Sequence, residues 1–141
     1  MSGGGSSGGR EVGLLILRVG IGVLFVLHGY PKITAGTGTW VSLGHAMGNL
    51  GINFLPVFWG FLAAFAEFAG GIGLILGAFF KISCALIAFD MVVAMLMHLH
   101  KGDGFQGAGH AIALLIVMIA LMFMGAGQFS VAEKTSHSIL K

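Results

Sequence analysis

Three ionisable residues lie within apolar stretches of the sequence, and these are the side chains best placed to do chemistry. Arg18, Glu67 and Asp90 each stand in a run of hydrophobic residues. If these runs cross a bilayer, a charge near its centre costs at least about 2.5–3.5 kcal/mol, so each group is expected to be paired or functional. At about 1.5 Å of rise per residue, Glu67 and Asp90 lie at similar depths, and Arg18 lies closer to one surface.

Two interpretations of these three residues stay open. The arginine side chain is long enough to form an Arg18–Glu67 or Arg18–Asp90 ion pair, which would do no more than fix the register of the helices. Alternatively, Glu67 is protonated in its apolar surroundings and carries protons. In that case the three residues form a buried polar site for protons or for a quinone.

Five histidines form a second group, near the ends of apolar segments on the opposite side of the predicted bundle. They are His28, His45, His98, His100 and His110. Converging imidazoles could ligate a metal or haem, or could hydrogen-bond a quinone. Their spacing matches no known metal motif, and His98 and His100, two residues apart, point to different helix faces. We therefore expect no tightly bound metal; the alternative is that these histidines contact headgroups and water.

The composition places these residues in a membrane protein. Hydrophobic residues make up 57% of the 141 positions and charged residues only 9%, whereas soluble domains average about 25% charged residues. The basic residues are scattered singly, so the sequence excludes a nucleic-acid-binding surface. One cysteine, Cys84, excludes an intrachain disulfide.

Four apolar segments meet or approach the length of about 20 residues that a membrane-spanning helix needs. They cover residues 12–33, 55–77, 79–98 and 109–125. The sequence therefore predicts an all-α membrane protein with one four-helix transmembrane domain over residues 11–128. Residues 1–10 are predicted to be a flexible tail, and residues 129–141 a C-terminal tail.

The connection over residues 34–54 has a helical pattern of its own. Trp40, Leu43, Met47 and Leu50 recur at helical spacing, which predicts a short helix at the membrane interface between the first two spans, with Trp40 as its anchor. An irregular loop is the alternative. On the second span, small residues at Gly70, Gly73 and Gly77 predict close helix packing.

With four spans, both termini and the turn at residues 77–81 lie on the same side of the membrane. That side carries Arg10, Lys81, Lys134 and Lys141, and the other side carries Lys32 and Lys101. Basic residues concentrate on the cytoplasmic side of membrane proteins. The sequence therefore predicts a multi-pass membrane protein with cytoplasmic termini.

The order of motifs along the chain resembles the DoxX family of four-helix membrane proteins. The resemblance rests on Arg18, Gly22, Phe25, His28, Gly29 and Lys32 in the first segment, Trp40 after it, Glu67, Gly70, Gly71, Leu76 and Gly77 in the second, then Lys81, and residues 125–127 with Ser130. The chain departs from the family pattern at His110, where a glutamate is frequent, at residues 125–127, where Gly-Pro-Gly is usual, and at Val131 and Ala132, where Leu-Asp is common.

This resemblance implies a redox setting in the bacterial inner membrane. The family includes small membrane subunits of quinone-linked oxidoreductases acting on thiosulfate, and members associated with redox-stress complexes. It also looks distantly like the four-helix architecture of vitamin K epoxide reductases, whose chemistry needs a cysteine pair. This chain has a single cysteine, so that chemistry does not carry over.

Three hypotheses for the function follow. The first is a subunit of a larger, quinone-linked redox complex, with a quinone as its cofactor and other membrane subunits and lipid as its partners. The second is a non-catalytic assembly subunit that binds lipid, and the third is a proton or small-solute pathway through Glu67 and Asp90. The chain has little mass outside the apolar segments, which favours an accessory subunit over a complete enzyme.

Overall fold

The computed structural model describes residues 4–139, and all regular structure within them is helical. The helices are α1 (Gly4–Thr34), α2 (Thr37–Gly44), α3 (Pro56–Leu76), α4 (Phe80–Lys101), α5 (Gly104–Met124) and α6 (Val131–Ile139). A 3-10 turn, His45–Leu50, directly follows α2. Four of these helices are long and apolar enough to cross a membrane, over Ser7–Thr34, Pro56–Leu76, Phe80–Lys101 and Gly104–Met124. The predicted all-α bundle with four spans is confirmed.

The predicted spans agree with the structure better than the predicted helix ends do. Helix α1 begins at Gly4, inside the predicted tail, and α6 occupies most of the predicted C-terminal tail. Helix α5 begins at Gly104, five residues before the predicted start. Extending an existing helix costs far less than nucleating one, so an apolar segment locates a helix better than it locates the helix ends.

Helix α3 packs against α1 on one side and α4 on the other, and α5 packs against α4. We call the end of the bundle where α3 ends, at Leu76, the inner end, and the end where α3 begins, at Pro56, the outer end. All four spans contribute to one buried apolar core. Its members are Leu14, Phe25, Leu74, Phe80, Cys84, Ile87, Met91, Ala111, Met118 and Leu121.

Helices α1 and α2 follow one another along α3. On α1, Gly22 faces the backbone of Gly71, so α1 covers the inner part of α3. On α2, Gly44 faces the backbone of Pro56, and Trp40 faces Gly60, so α2 covers the outer part. The helical conformation is interrupted between α1 and α2 at residues 35 and 36, and we call this interruption the break.

The break is compatible with a membrane setting because side chains satisfy the backbone beside it. Gly36 adopts φ 87°, a conformation that is open mainly to glycine. The indole N–H of Trp40 donates to the carbonyl oxygen of Lys32 at 3.0 Å, one of the carbonyls that the end of α1 leaves without a helical partner. Trp40 also packs edge-on against Phe61, with ring centroids 5.1 Å apart. The predicted short helix therefore exists, and its axis follows α3.

The glycines predicted to pack helices closely are all buried, and their contacts lie within the chain. Gly70 faces the side chain of Ile87, and Gly73 faces Ser83, so both bring α4 close to α3. Gly77 ends α3 in a left-handed conformation with φ 66°. This face of α3 is therefore occupied by α4 and by the C-terminal segment.

Replacing Gly60 by alanine tests the contact between α2 and α3. A Cβ at Gly60 would overlap the carbonyl group of Trp40, whereas a Cβ at Gly20 on α1 would meet nothing within 4 Å. Overpacking of this kind costs about 1–3 kcal/mol, which exceeds the gain of about 1 kcal/mol in helix propensity. We expect Gly60→Ala to lower the melting temperature in detergent and Gly20→Ala to leave it equal or higher. Equal melting temperatures for both variants would contradict this packing.

Candidate functional site

An ion pair lies between the outer end of α1 and the middle of α3. Lys32 Nζ donates to Glu67 Oε2 at 2.7 Å, and the side chains are 33% and 6% exposed, respectively. The last turn of α1 brings Lys32 to this level because α1 runs antiparallel to α3, with Gly29 packed against the backbone of Glu67 and Phe68. The cation that meets Glu67 is thus Lys32.

Asp90 adds a second carboxyl group to this pair. It interacts electrostatically with both Glu67 and Lys32. Glu67 lies about 14 Å from the end of α3, and Asp90 about 15 Å from the start of α4, at 1.5 Å per residue. Since both of those helix ends are at the inner end, the two carboxyl groups meet near mid-depth. We call Lys32, Glu67 and Asp90 the ion cluster.

The ion cluster borders a cavity of about 130 Å³ between α3, α4 and the 3-10 turn. Apart from the cluster itself and Trp59, the residues that line it are apolar: Leu43, Ala46, Met47, Leu62, Ala63, Ala66, Leu86, Phe89, Val93, Ala94 and Met97. We call this the ion-cluster cavity. It combines apolar walls with a few converging polar groups, the usual composition of a small-molecule site.

Trp59 lines the same cavity, and its indole N–H has no hydrogen-bond partner among the described residues although the nitrogen atom is buried. Leaving a buried donor unsatisfied costs about 1–3 kcal/mol. Sequence reasoning did not find Trp59 as a residue of this cavity, because a tryptophan in an apolar segment resembles a lipid-facing residue. Its position two helical turns before Glu67, on the same face of α3, is the signal that could have found it.

Arg18 lies away from the ion cluster, and so it does not form the predicted pair with Glu67 or Asp90. It is 1% exposed and lies at the inner end, where it faces Gly77 and donates through Nη2 to the carbonyl oxygen of Phe129. Its Nε and Nη1 atoms have no hydrogen-bond partner among the described residues. The distance along the bundle decides the outcome, because Arg18 lies more than three helical turns before Lys32.

The position of Arg18 stabilises the segment that follows α5. The C-terminal end of a helix carries a partial negative charge, so the end of α3 is a favourable neighbour for the guanidinium. The amide of Ala132 donates to the carbonyl oxygen of Gly77 at 3.3 Å, and Ser130 beside it is only 2% exposed. Arg18 thus holds the C-terminal segment against the bundle.

The five predicted histidines do not converge on one site. The rings of His28 and His110 lie 6.3 Å apart, and His28 Nδ1 is 2.7 Å from the carbonyl oxygen of Leu24. His98 Nδ1 is 2.8 Å from Asp103 Oδ2, in a contact at the outer end. Among the side chains that the structure describes, those of residues 7–135, no three of His, Cys, Asp or Glu lie close enough together to hold a metal ion.

The two remaining histidines, His45 and His100, line an open groove of about 360 Å³ at the outer end. The other lining residues are Ser42, Ala46, Asn49, Met97 and Lys101. We call this the outer groove. Unlike the ion-cluster cavity, it is rich in hydroxyl, amide and imidazole groups, so it suits water better than an apolar ligand.

Comparison with known proteins identifies the family. The DoxX family model matches residues 13–100. The chain belongs to the DoxX family. All residues that line the ion-cluster cavity fall between Lys32 and Met97, within the matched range. The family assignment therefore includes the whole candidate site.

Two relatives of this DoxX protein have names that describe an activity or a location. It is 29% identical over 116 residues to "Putative oxidoreductase CatD" of Bacillus subtilis (strain 168), covering 82% of this chain and 81% of that protein. It is also 29% identical over 125 residues to "Inner membrane protein YqjF" of Escherichia coli (strain K12), covering 86% and 91%. No solved structure matches the chain. The four spans and the second relative support a protein of the bacterial inner membrane.

The Lys32–Glu67 ion pair predicts a particular pattern of stabilities. Lys32→Met leaves two carboxyl groups without their cation, and breaking a buried pair in this way costs about 3–5 kcal/mol. We expect a large fall in melting temperature in detergent, and partial recovery when Glu67→Gln is added. Lys101→Met removes an exposed lysine of α4 and should have little effect. If Lys32→Met and Lys101→Met melted alike, the ion pair would not stabilise the fold.

Arg18→Met tests the contact with the C-terminal segment. Without the guanidinium, the carbonyl of Phe129 loses its donor, and we expect the segment to detach and trypsin to cleave faster after Lys134. The cleavage rate is measured by mass spectrometry on protein in detergent. Arg10→Met, which removes an exposed arginine of the same helix, serves as the control. Unchanged cleavage at Lys134 in Arg18→Met would show that the segment is held by other contacts.

Proposed function

We propose that this DoxX-family protein is a membrane subunit of a quinone-linked redox complex and that a quinone ring binds in the ion-cluster cavity. The observation that carries the proposal is the unpartnered indole N–H of Trp59 in a cavity that also holds Lys32, Glu67 and Asp90. A buried donor without an acceptor favours a ligand that supplies one.

The residues present fit a quinone. Its ring is apolar and carries two carbonyl acceptors, which match the indole N–H of Trp59 and the ammonium group of Lys32. The cavity volume of about 130 Å³ is close to the roughly 150 Å³ that accommodates a benzene ring in an engineered apolar cavity. The side chain of Lys32 is 33% exposed, so the cluster is open to its surroundings on one side.

A bound quinone would supply a couple of two electrons and two protons. The part of this chain is to position the ring and to handle protons. When the carboxyl pair holds a single proton, its one negative charge balances the positive charge of Lys32, and the cluster is neutral. Release or uptake of one proton by Glu67 or Asp90 then changes the net charge of the cluster by one unit. Lys32 stabilises the carboxylate that is left, and the apolar walls limit access of water.

A partner that exchanges electrons completes the proposal. Within the described residues, the segments outside the spans are short helices and turns, and none of these residues forms a soluble redox domain. We therefore propose that the chain works as an accessory subunit with at least one other membrane polypeptide. The name of the Bacillus relative, an oxidoreductase, agrees with a redox setting.

We also infer that both termini are cytoplasmic. Lys32, which counted against this orientation as a loop residue, is bound to Glu67 inside the bundle. Lys141, which was also counted for this orientation, lies outside the described residues. Among the described basic residues near the helix ends, Arg10, Lys81 and Lys134 lie at the inner end, and Lys101 lies at the outer end. This distribution favours an inner end that faces the cytoplasm.

A second function has support from the same site. Two carboxyl groups at mid-depth, one of them in an ion pair, are a common arrangement in proton pathways through membranes. A water-filled cavity would then replace the quinone, and Glu67 and Asp90 would pass protons without a redox reaction. Direct measurement of quinone binding separates the two functions.

Quinone binding is tested on purified protein in lipid nanodiscs with a short-chain ubiquinone analogue by equilibrium dialysis. We expect Trp59→Phe, which keeps an aromatic ring but removes the donor, to weaken binding by about fivefold, as expected for one hydrogen bond of about 1 kcal/mol. Phe65→Leu changes an exposed aromatic residue of the same helix and should bind as the unmodified protein does. Absence of binding, or equal affinity in Trp59→Phe, would exclude this site for quinone.

A further inference from the structure

We propose that the carboxyl pair Glu67–Asp90 exchanges protons with water at the outer end of the bundle only, through the outer groove. This inference concerns the same cavity as the proposed function and rests on it for the use made of those protons. It adds a direction, because it assigns the proton exchange to one side of the membrane.

The ion-cluster cavity and the outer groove share part of a wall. Ala46 of the 3-10 turn and Met97 of α4 line both spaces. The methyl group of Ala46 and the flexible thioether side chain of Met97 therefore separate the cavity from the groove, and we call these two side chains the partition. Methionine has several rotatable bonds and adapts its shape readily, so this partition can open without any movement of the helices.

The two spaces also lie in series along one face of α4. Asp90, Val93 and Met97 line the cavity, and His100 and Lys101 continue the same face into the groove. These positions are separated by three or four residues, the spacing that stacks side chains along a helix. A proton that leaves Asp90 toward the outer end thus meets Met97 and then an imidazole.

The inner end offers no comparable route within the described residues. About one helical turn closer to the inner end than the carboxyl pair, the side chain of Ile87 packs against Gly70. Ile87, Leu74 and Cys84 are all fully buried at 0% exposure. This close-packed apolar layer separates the ion cluster from the inner end, so water has easier access from the outer groove.

The groove supplies groups that can pass protons. His45 can donate and accept hydrogen bonds in its neutral form, and His100, whose Nδ1 lies 2.8 Å from the carbonyl oxygen of Leu96, can take up a proton at Nε2. Ser42 and Asn49 add a hydroxyl and an amide. The charged group that interacts with the carboxyl pair is Lys32 from α1, and Lys101 lines the outer groove.

The test follows the protonated carboxyl groups directly, in vesicles containing the purified chain. Infrared difference spectroscopy detects their carbonyl stretch, and the band is assigned by its loss in Glu67→Gln and Asp90→Asn. The external pH is then changed rapidly in vesicles of each orientation. Two single-cysteine variants, Ser7→Cys and Gln106→Cys, are made in a Cys84→Ala background. Labelling with a membrane-impermeant maleimide shows which end of the bundle faces the external solution. We expect the band to respond at once only when the Gln106 end faces the external solution.

Substitutions at Ala46 and Met97 test whether protons pass through the partition. Ala46→Phe fills it and should abolish the rapid response, whereas Met97→Ala widens it and should speed the response. Ala85→Phe, at an exposed position of α4, is the control of equal bulk and should respond as the unmodified chain does. Should Ala46→Phe fail to fold, Met97→Ala still decides the role of the partition.

Three results would overturn the inference: a rapid response when the Ser7 end faces the solution, a response to neither side, or no band that depends on Glu67 and Asp90. Failure of the proposed function is a separate result. If no quinone binds but the carboxyl groups respond from the outer end, the route stands and the redox function falls. If quinone binds through Trp59 and the response comes from the inner end, the reverse holds.

Discussion

A carboxylate at mid-depth in a membrane needs a cation, and the outer half of this protein is arranged so that Glu67 has one. Lys32 can reach Glu67 only because α1 continues to Thr34 before the chain breaks. The break in turn is stable only because Trp40 satisfies the carbonyl oxygen of Lys32. The same lysine therefore contributes its side chain to the site and its backbone to the break, so the ion pair and the path of the chain depend on each other.

Close approach of backbones makes that path possible. Gly44 and Gly60 let α2 lie directly against α3, which gains van der Waals contact where no hydrophobic effect drives helices together in lipid. With α2 held there, the 3-10 turn that follows it lies over the space between α3 and α4 and places Ala46 and Met47 in the cavity wall. The outer wall of the candidate site is thus built from the connection between spans.

Much of the fold could be predicted from the sequence, but only part of the site could. Length and hydropathy locate the four spans, and equal distances from the inner end place Glu67 and Asp90 at one depth. The identity of the cation could not be predicted, because Lys32 lies near a segment end and resembles a loop charge, whereas Arg18 lies deep in an apolar run. Which charges meet depends on how far α1 slides along α3, and glycine contacts such as Gly29 against Phe68 set that register.

Two of the three basic residues of α1, Arg18 and Lys32, lie in halves of the bundle that have different properties. At the inner end, Arg18 is compensated by the end of α3 and the carbonyl of Phe129, and the core beside it is closely packed. At the outer end, Lys32 is compensated by ionisable groups that can change their charge, beside a cavity and a groove. Helix ends and carbonyls keep a fixed partial charge, but carboxyl groups can exchange protons. The proton exchange proposed for Glu67 and Asp90 therefore belongs to the outer half, and the inner half supplies the closely packed support against which these two residues are held.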